Sequence, residues 1–263
     1  MASRTQSKLD SVTTSIKDAY PKANVHTVIL DLTSQESVER ATAQVAEVTD
    51  SLDIIINNAG IMTLKKEVTA EGIEAQFGAN HIGHFLLTNL LMPQILTAAK
   101  LNAPGSTRIV NLTSLGHRLS PVRFHDFNFE GKPIPSEEEH PPLPPAFSKG
   151  ADGPYNGYVS YGQAKTANIL FSVQLTKLLK QQGVVSYAVH PGCEFLASNY
   201  HTGVELLMHC SNLDRARQES RCRWRGSNSS HEPVLEESRS GCLNNISGCA
   251  RSRARWHVYF PIS

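Results

Sequence analysis

Leu52-Asp53-Ile54-Ile55-Ile56-Asn57-Asn58-Ala59-Gly60 carries a short apolar run that stops at two asparagines and a glycine. A β-branched run of this length, bounded by turn residues, reads as a strand buried on both faces, as parallel strands are. On its N-terminal side, Ser34, Ser37, Val38, Ala41, Val45 and Val48 give a capped start and helical spacing up to Asp50. Val25-His26-Thr27-Val28-Ile29-Leu30-Asp31 is an earlier β-branched run ending in an acid, and Ser7 to Ala19 reads as a leading helix. On the C-terminal side the spacing predicts a helix from Glu71 to Lys100, kinked or restarted at Pro93. A strand over Arg108 to Thr113 follows. Leu119 to Gly157 is too rich in proline and glycine for regular structure, and its stretch Pro133 to Pro145, with three consecutive glutamates, reads as a solvated surface loop. Tyr158 to Gln182 returns to helical spacing until Gly183 stops it, and Val184 to Val189 is a fourth strand. Strands alternating with helices, joined by right-handed crossovers, imply an α/β architecture: a doubly wound parallel sheet covered on both faces.

Composition narrows the partners. Over 263 residues, 25 basic and 24 acidic side chains create no field that would gather nucleic acid or a membrane surface. No membrane span of about 18 apolar residues and no leader-like apolar core at the N-terminus are found, so a cytoplasmic protein with small-molecule partners is expected. Three Asn-x-Ser/Thr triplets, at Asn111, Asn228 and Asn245, are read as chance occurrences. Up to Gly192 there are 11 lysines and 5 arginines; beyond it there are nine arginines, no lysine, all five cysteines and both tryptophans. That switch divides the chain into a domain over 1–192 and a tail over 193–263 with little expected order. The cysteine spacings never give a Cys-x-x-Cys or a matching His pair, so no metal site is expected.

The residues that carry chemistry follow the strands. Asp31 ends one strand, Asn57 to Gly60 end the next and Ser114 follows the third, which places them on the carboxyl edge where open α/β sheets bind ligands. Tyr161 and Lys165 are four apart on a helix and so share one face. A phenol titrates near pH ~10, and a fixed positive charge beside it favours phenolate, bringing it into the range of a proton donor and acceptor. Taken singly, each feature has a plainer explanation: a surface Tyr over a Lys stem, a tight turn, a capping serine.

Together, Asp31-Leu32, Asn57-Asn58-Ala59-Gly60, Asn80 within Phe77-Gly78-Ala79-Asn80-His81-Ile82-Gly83-His84-Phe85, Ser114, Tyr161-x-x-x-Lys165 and His190-Pro191-Gly192 resemble the short-chain dehydrogenase/reductase family. The Asn80 block and Tyr161 to Asn168 look most like its retinol-dehydrogenase-like branch with its fungal members. The resemblance, over roughly Arg4 to Gly192, implies a Rossmann-like fold and a hydride passing between a nicotinamide and a carbonyl or alcohol carbon of a small hydrophobic substrate. It implies that Tyr161 handles the proton, Ser114 holds the substrate oxygen, Lys165 lowers the Tyr161 pKa and binds ribose, and Asn80 interrupts its helix and holds a water leading to Lys165. Asp31 and Leu32 would lie near the adenine, and Asn58, Ala59, Gly60, Pro191 and Gly192 would line the cofactor cleft. Arg4 matches the basic residue that pairs with a 2′-phosphate, so NADP is expected in preference to NAD. A homodimer through the helices 71–100 and 158–182 and a place in secondary metabolism are further implications.

The chain also departs from that family. No Thr-Gly-x-x-x-Gly-x-Gly turn is present, and Met1 to Arg4 align with the end of the family's second strand. The expectation is an incomplete sheet lacking its first strand and phosphate cradle. After Gly192 the substrate-covering elements of the family have no counterpart, and the tail's composition resembles translation in a shifted frame or of a retained intron. A catalytically silent relative acting as a dimerisation partner is therefore the alternative to an active enzyme.

Overall fold

The strands at Val28–Ile29, Ile54–Asn57, Thr107–Leu112 and Val184–Val189 are each reached by way of a helix, and that alternation sets the architecture. The computed structural model describes residues 1–148, 151–153, 155–191 and 257–258. The chain divides into two units, Met1–His190 with Arg251–Ser263, and Pro191–Ala250. In the first unit, β1 (Ala2–Ser3) leads through α1 (Gln6–Ala19) to β2 (Val28–Ile29), and α2 (Gln35–Val48) leads to β3 (Ile54–Asn57). Next come α3 (Ala75–Phe77), a five-residue π turn (Gly78–Ile82), α4 (Gly83–Leu90), α5 (Met92–Leu101) and β4 (Thr107–Leu112). After a 3-10 turn at Leu115–Leu119, α6 (Pro145–Ser148) and the strands β5 (Ala151–Asp152) and β6 (Tyr155–Asn156) lead into α7 (Gly157–Leu179), β7 (Val184–Val189) and β8 (His257–Val258).

β7, β4, β3 and β8 form one parallel sheet in that order, and β1 and β2 form a separate parallel pair. In place of the single sheet expected from the sequence, the ladder is thus in two pieces. Side chains bridge what hydrogen bonds do not: Ala2, Val28 and Leu30 share one core with Val38, Leu52, Ile55, Ile109, Phe171 and Val184. β8 pairs with β3 through His257 opposite Ile54 and Val258 opposite Ile55, a strand beyond the alternation that the sequence suggested. The rest of the tail lies outside the described residues.

The helical expectations hold with local corrections. Ser34 caps α2 by accepting from the Ser37 N–H at 3.2 Å. The expected helix from Glu71 to Lys100 is three segments: a π turn opens it at Asn80, and Pro93, at the start of α5, restarts it after a bend of 57°. Among the described residues no single helix is long and apolar enough to cross a membrane. Gly183 stops α7 and its closing 3-10 turn at φ +84°, a conformation that costs glycine little. Only Val28–Ile29 of the run Val25 to Asp31 enters a ladder.

The excursion before α7 is more organised than its prolines suggest. Glu138, from the acidic run expected to be solvated, is buried, accepting from the His125 backbone N–H at 3.1 Å and pairing with its ring Nδ1 at 2.7 Å. Burial alone would raise this carboxyl, but the two His125 contacts hold it below its usual value. Glu74 is likewise fully buried: its carboxylate caps α3 through the N–H groups of Gln76 and Phe77 and accepts the Tyr155 hydroxyl at 2.9 Å. Burial first, and then the Glu74 charge, push the Tyr155 phenol up. Gln76 adds bonds to the Thr63 carbonyl, the Tyr155 hydroxyl and the Gly157 carbonyl, tying the start of α7 to the start of α3. The last two contacts join residues about 80 apart in sequence, which no local pattern displays.

Candidate active site

Because β3, β4 and β7 run parallel with Asn57 opposite Asn111 and Leu112 opposite Val189, their carboxyl ends share one edge. α7 is pinned across that edge. Thr113 Oγ1 donates to the Lys165 carbonyl at 2.8 Å, and Thr166 Oγ1 bonds the carbonyls of His117 and Ser120 at 2.9 and 2.7 Å. Gly162 makes this approach possible, since a Cβ there would lie 2.7 Å from the Gly116 carbonyl oxygen. The side chains of Ser114 and Tyr161 consequently flank the same residue. A Cβ at Gly116 would sit 2.9 Å from Tyr161 Cδ1 and 3.5 Å from Ser114 Oγ. Ser114 Oγ accepts from the Gly116 N–H at 3.1 Å, a bond that leaves its hydroxyl hydrogen to donate elsewhere.

Lys165 is only 4% exposed, with Nζ 5.5 Å from the Tyr161 ring centroid and donating to the Leu112 carbonyl at 3.1 Å. Burial lowers its pKa from 10.5 to about 8. Asn80 approaches from the other side. Its side chain pairs with the Ile61 backbone, accepting at 2.7 Å and donating at 2.8 Å, so the π turn is sewn to the residue after Gly60. Gly60 faces both groups: a Cβ there would be 3.2 Å from Asn80 Oδ1 and 3.4 Å from Lys165 Nζ. Ser114, Asn80 and the Tyr161–Lys165 pair, widely separated in sequence, therefore meet around two glycines.

Beside them is a cleft of about 520 Å³, including its open mouth, lined by Ala2, Ser3, Arg4, Leu30 to Thr33, Ala59 to Ile61 and Ala79. Five of the expected cofactor residues, Arg4, Asp31, Leu32, Ala59 and Gly60, are on its wall. Arg4 and Asp31 come together because β1 and β2 are parallel and both end there. Asp31 is held by accepting from the Thr33 N–H and hydroxyl at 2.9 and 2.7 Å. Asn58 turns the chain, its N–H bonding the Ile56 carbonyl at 3.1 Å, and is not among the lining residues. Pro191 is exposed and belongs to the second unit, and Gly192 lies outside the described residues.

Gly83 is the hidden support of this wall, because a Cβ on it would run into the Leu32 carbonyl oxygen and lie 2.9 Å from Leu32 Cβ. Gly83→Ala is expected to destabilise the fold by about 1–3 kcal/mol, the usual cost of forcing a methyl into a packed contact. A urea midpoint equal to that of the parent would contradict the packing.

Under the site runs a buried polar chain that sequence reading did not identify. Asn57 Nδ2 donates to Thr88 Oγ1 at 2.9 Å and to Asn111 Oδ1 at 2.8 Å, and Asn111 Nδ2 donates to Ser172 Oγ at 2.8 Å. Asn111, which opens an Asn-x-Thr triplet, is 1% exposed with both ends of its amide engaged. The available signal was an asparagine at an alternating core position of a strand that is otherwise apolar from Ile109 to Leu112. Burial pushes the His84 imidazole down to about 3, and its Nδ1 lies 3.1 Å from the Asn80 carbonyl.

The short chain dehydrogenase family model matches residues 1–123. Human retinol dehydrogenase 13 is 34% identical over 204 residues, covering 78% of this chain and 54% of that protein. Oxidoreductase fscI of Fusarium equiseti is 32% identical over 194 residues, covering 73% of each. Among solved structures, the Pseudomonas aeruginosa RhlG/NADP active-site complex superposes with a TM-score of 0.53 at 18% identity, covering 82% of this chain and 69% of that one. An uncharacterized protein from Mycobacterium paratuberculosis gives 0.52 at 27% identity, covering 82% and 65%. The chain spans about half the length of the retinol dehydrogenases it matches. With a relative sharing nearly three quarters of both lengths and four separated motif residues gathered on one sheet edge, the chain belongs to the short-chain dehydrogenase family.

Proposed function

We propose that this chain is an NADP-dependent oxidoreductase that interconverts a carbonyl and an alcohol on a small hydrophobic substrate. The observation that carries this reading is the convergence of Ser114, Tyr161, Lys165 and Asn80 beside a cleft walled by Arg4, Asp31 and Gly60. A dinucleotide fits the residues present at two places. Arg4 and Asp31 offer a guanidinium and a carboxylate to an adenosine ribose or its 2′-phosphate, and the missing Cβ of Gly60 leaves room beside Lys165 Nζ for the second ribose. When bound, the nicotinamide would supply or accept the hydride. Ser114 would donate its hydroxyl hydrogen to the substrate oxygen and stabilise charge as it develops there. Tyr161 would deliver or remove the oxygen's proton, and the Lys165 ammonium behind its ring would favour phenolate and hydrogen-bond the ribose. A cytoplasmic location and a place in secondary metabolism belong to the same proposal, resting on composition and on the fungal branch of the resemblance.

The test is a titration of the purified chain with NADPH, followed by nicotinamide fluorescence. Saturable binding supports the reading and its absence overturns it. Arg4→Ala is expected to weaken NADPH about tenfold or more while leaving NADH little changed, since only the 2′-phosphate loses a charge-assisted partner. Equal losses for both would remove the preference for NADP.

A second reading is favoured by exposed apolar side chains on α4 and α7, including Phe85, Leu170 and Val173. It makes the chain a catalytically silent dimerisation partner. A monomeric mass by light scattering would exclude it.

A further inference from the structure

We infer that Asn168, held in orientation by His81, is a positioning residue for Lys165, setting how the lysine shares the Leu112 carbonyl. Asn168 Nδ2 donates to two backbone carbonyls: that of Asn80 at 3.1 Å and that of Leu112 at 3.1 Å. The first belongs to the π turn and the second ends β4, so one amide joins the two elements that approach Lys165. Lys165 Nζ donates to the same Leu112 oxygen at 3.1 Å. Two donors thus divide one acceptor, and the positive end of the Asn168 amide sits beside the ammonium. Asn168 is 2% exposed, and its amide cannot be turned over: the oxygen would then face two carbonyl oxygens.

What fixes that orientation is His81, whose Nδ1 lies 3.1 Å from Asn168 Oδ1. An amide oxygen only accepts, so Nδ1 must carry the hydrogen. Burial lowers the His81 pKa while the Asn168 bond works against it, and the balance favours the neutral ring. Ring contacts with Phe77, Phe85 and Phe171, at centroid distances of 5.4, 6.2 and 5.9 Å, keep the imidazole in place. Among the described residues, the titratable groups that face Lys165 are Tyr161 on its own helix and His84 from the crossing segment, and His81 reaches it through Asn168. An aspartate at position 168 would supply no donor and add a charge; an amide is the side chain that donates twice and accepts once here.

The test is a lysine-selective 13Cε NMR titration of the full chain, read without substrate or dinucleotide. Lys165 is expected to titrate near pH 8 in the parent. Asn168→Ala and His81→Phe should each raise that midpoint by about half a pH unit or more, because the Leu112 oxygen then serves the ammonium alone. His81→Asn, whose amide N–H overlays the Nδ1 donor, should restore the parent midpoint. A midpoint unmoved in His81→Phe, or moved equally in His81→Phe and His81→Asn, would overturn the inference. A change confined to Asn168→Ala would do the same, reducing Asn168 to packing. If Asn168→Ala does not fold, the two His81 variants decide. The kinetic consequence rests on the proposed function, but the titration does not. A chain that fails to bind NADPH overturns that function and leaves this measurement able to succeed or fail independently.

Discussion

Tyr161→Phe is expected to lower carbonyl reduction by roughly 10³-fold, within the range that a positioned acid–base group contributes, while leaving NADPH affinity nearly unchanged. Only the hydroxyl is lost. The ring edge that packs against Gly116 is common to both side chains, so the fold and the cleft remain. A panel of small hydrophobic aldehydes and ketones, with NADPH oxidation as the signal, checks the rate; nicotinamide fluorescence checks affinity. Retained turnover would contradict the assigned role, and a parallel loss of affinity would point instead to a structural effect.

Lys165→Met should produce an opposite pair of effects: a chain that is more stable at neutral pH and without turnover. Lys165 is buried, and burial lowers its pKa from 10.5 to about 8. A tenfold weaker hold on the proton is worth about 1.4 kcal/mol, so keeping the ammonium charged in place costs roughly 3 kcal/mol at pH 7. The folded pKa lies below the unfolded one. Between pH 8 and 10.5 the unfolded chain therefore binds more protons, and stability rises with pH through that window. Methionine keeps the stem's packing and removes the charge. It also leaves the Leu112 carbonyl satisfied, since Asn168 Nδ2 still donates to it. The expected gain at pH 7 is about 1–3 kcal/mol, with a flatter pH dependence from 8 to 10.5. Urea unfolding at a series of pH values measures both, and a variant less stable than the parent at pH 7 would show that the lysine's contacts outweigh its desolvation.

Such a trade is common where activity requires a charge in a place that folding alone would fill with an apolar group. Asn80 and Gly60 reduce the cost by leaving Nζ a narrow polar space, whereas dividing the strand carbonyl with Asn168 adds to it.

The sequence by itself determined the alternation of strands and helices, the capped start at Ser34, the stop at Gly183 and the restart at Pro93. These are local matters, because periodicity, capping and backbone restriction act over four or five residues. It also determined which side chains stand at the carboxyl edge, since a parallel sheet brings all its strand ends to one side. Only the tertiary structure decided the rest. Glu74 with Tyr155, Glu138 with His125 and Asn57 with Asn111 are polar residues whose burial depends on partners from 13 to 81 residues away, and spacing along the chain holds no trace of such pairing. The division of the ladder into β1–β2 and β7–β4–β3–β8 likewise depends on which backbone groups meet in space. The same holds for Lys165: the Tyr-x-x-x-Lys spacing places it beside the phenol, but its low pKa comes from the burial that helix α7, strand β4 and the π turn create together.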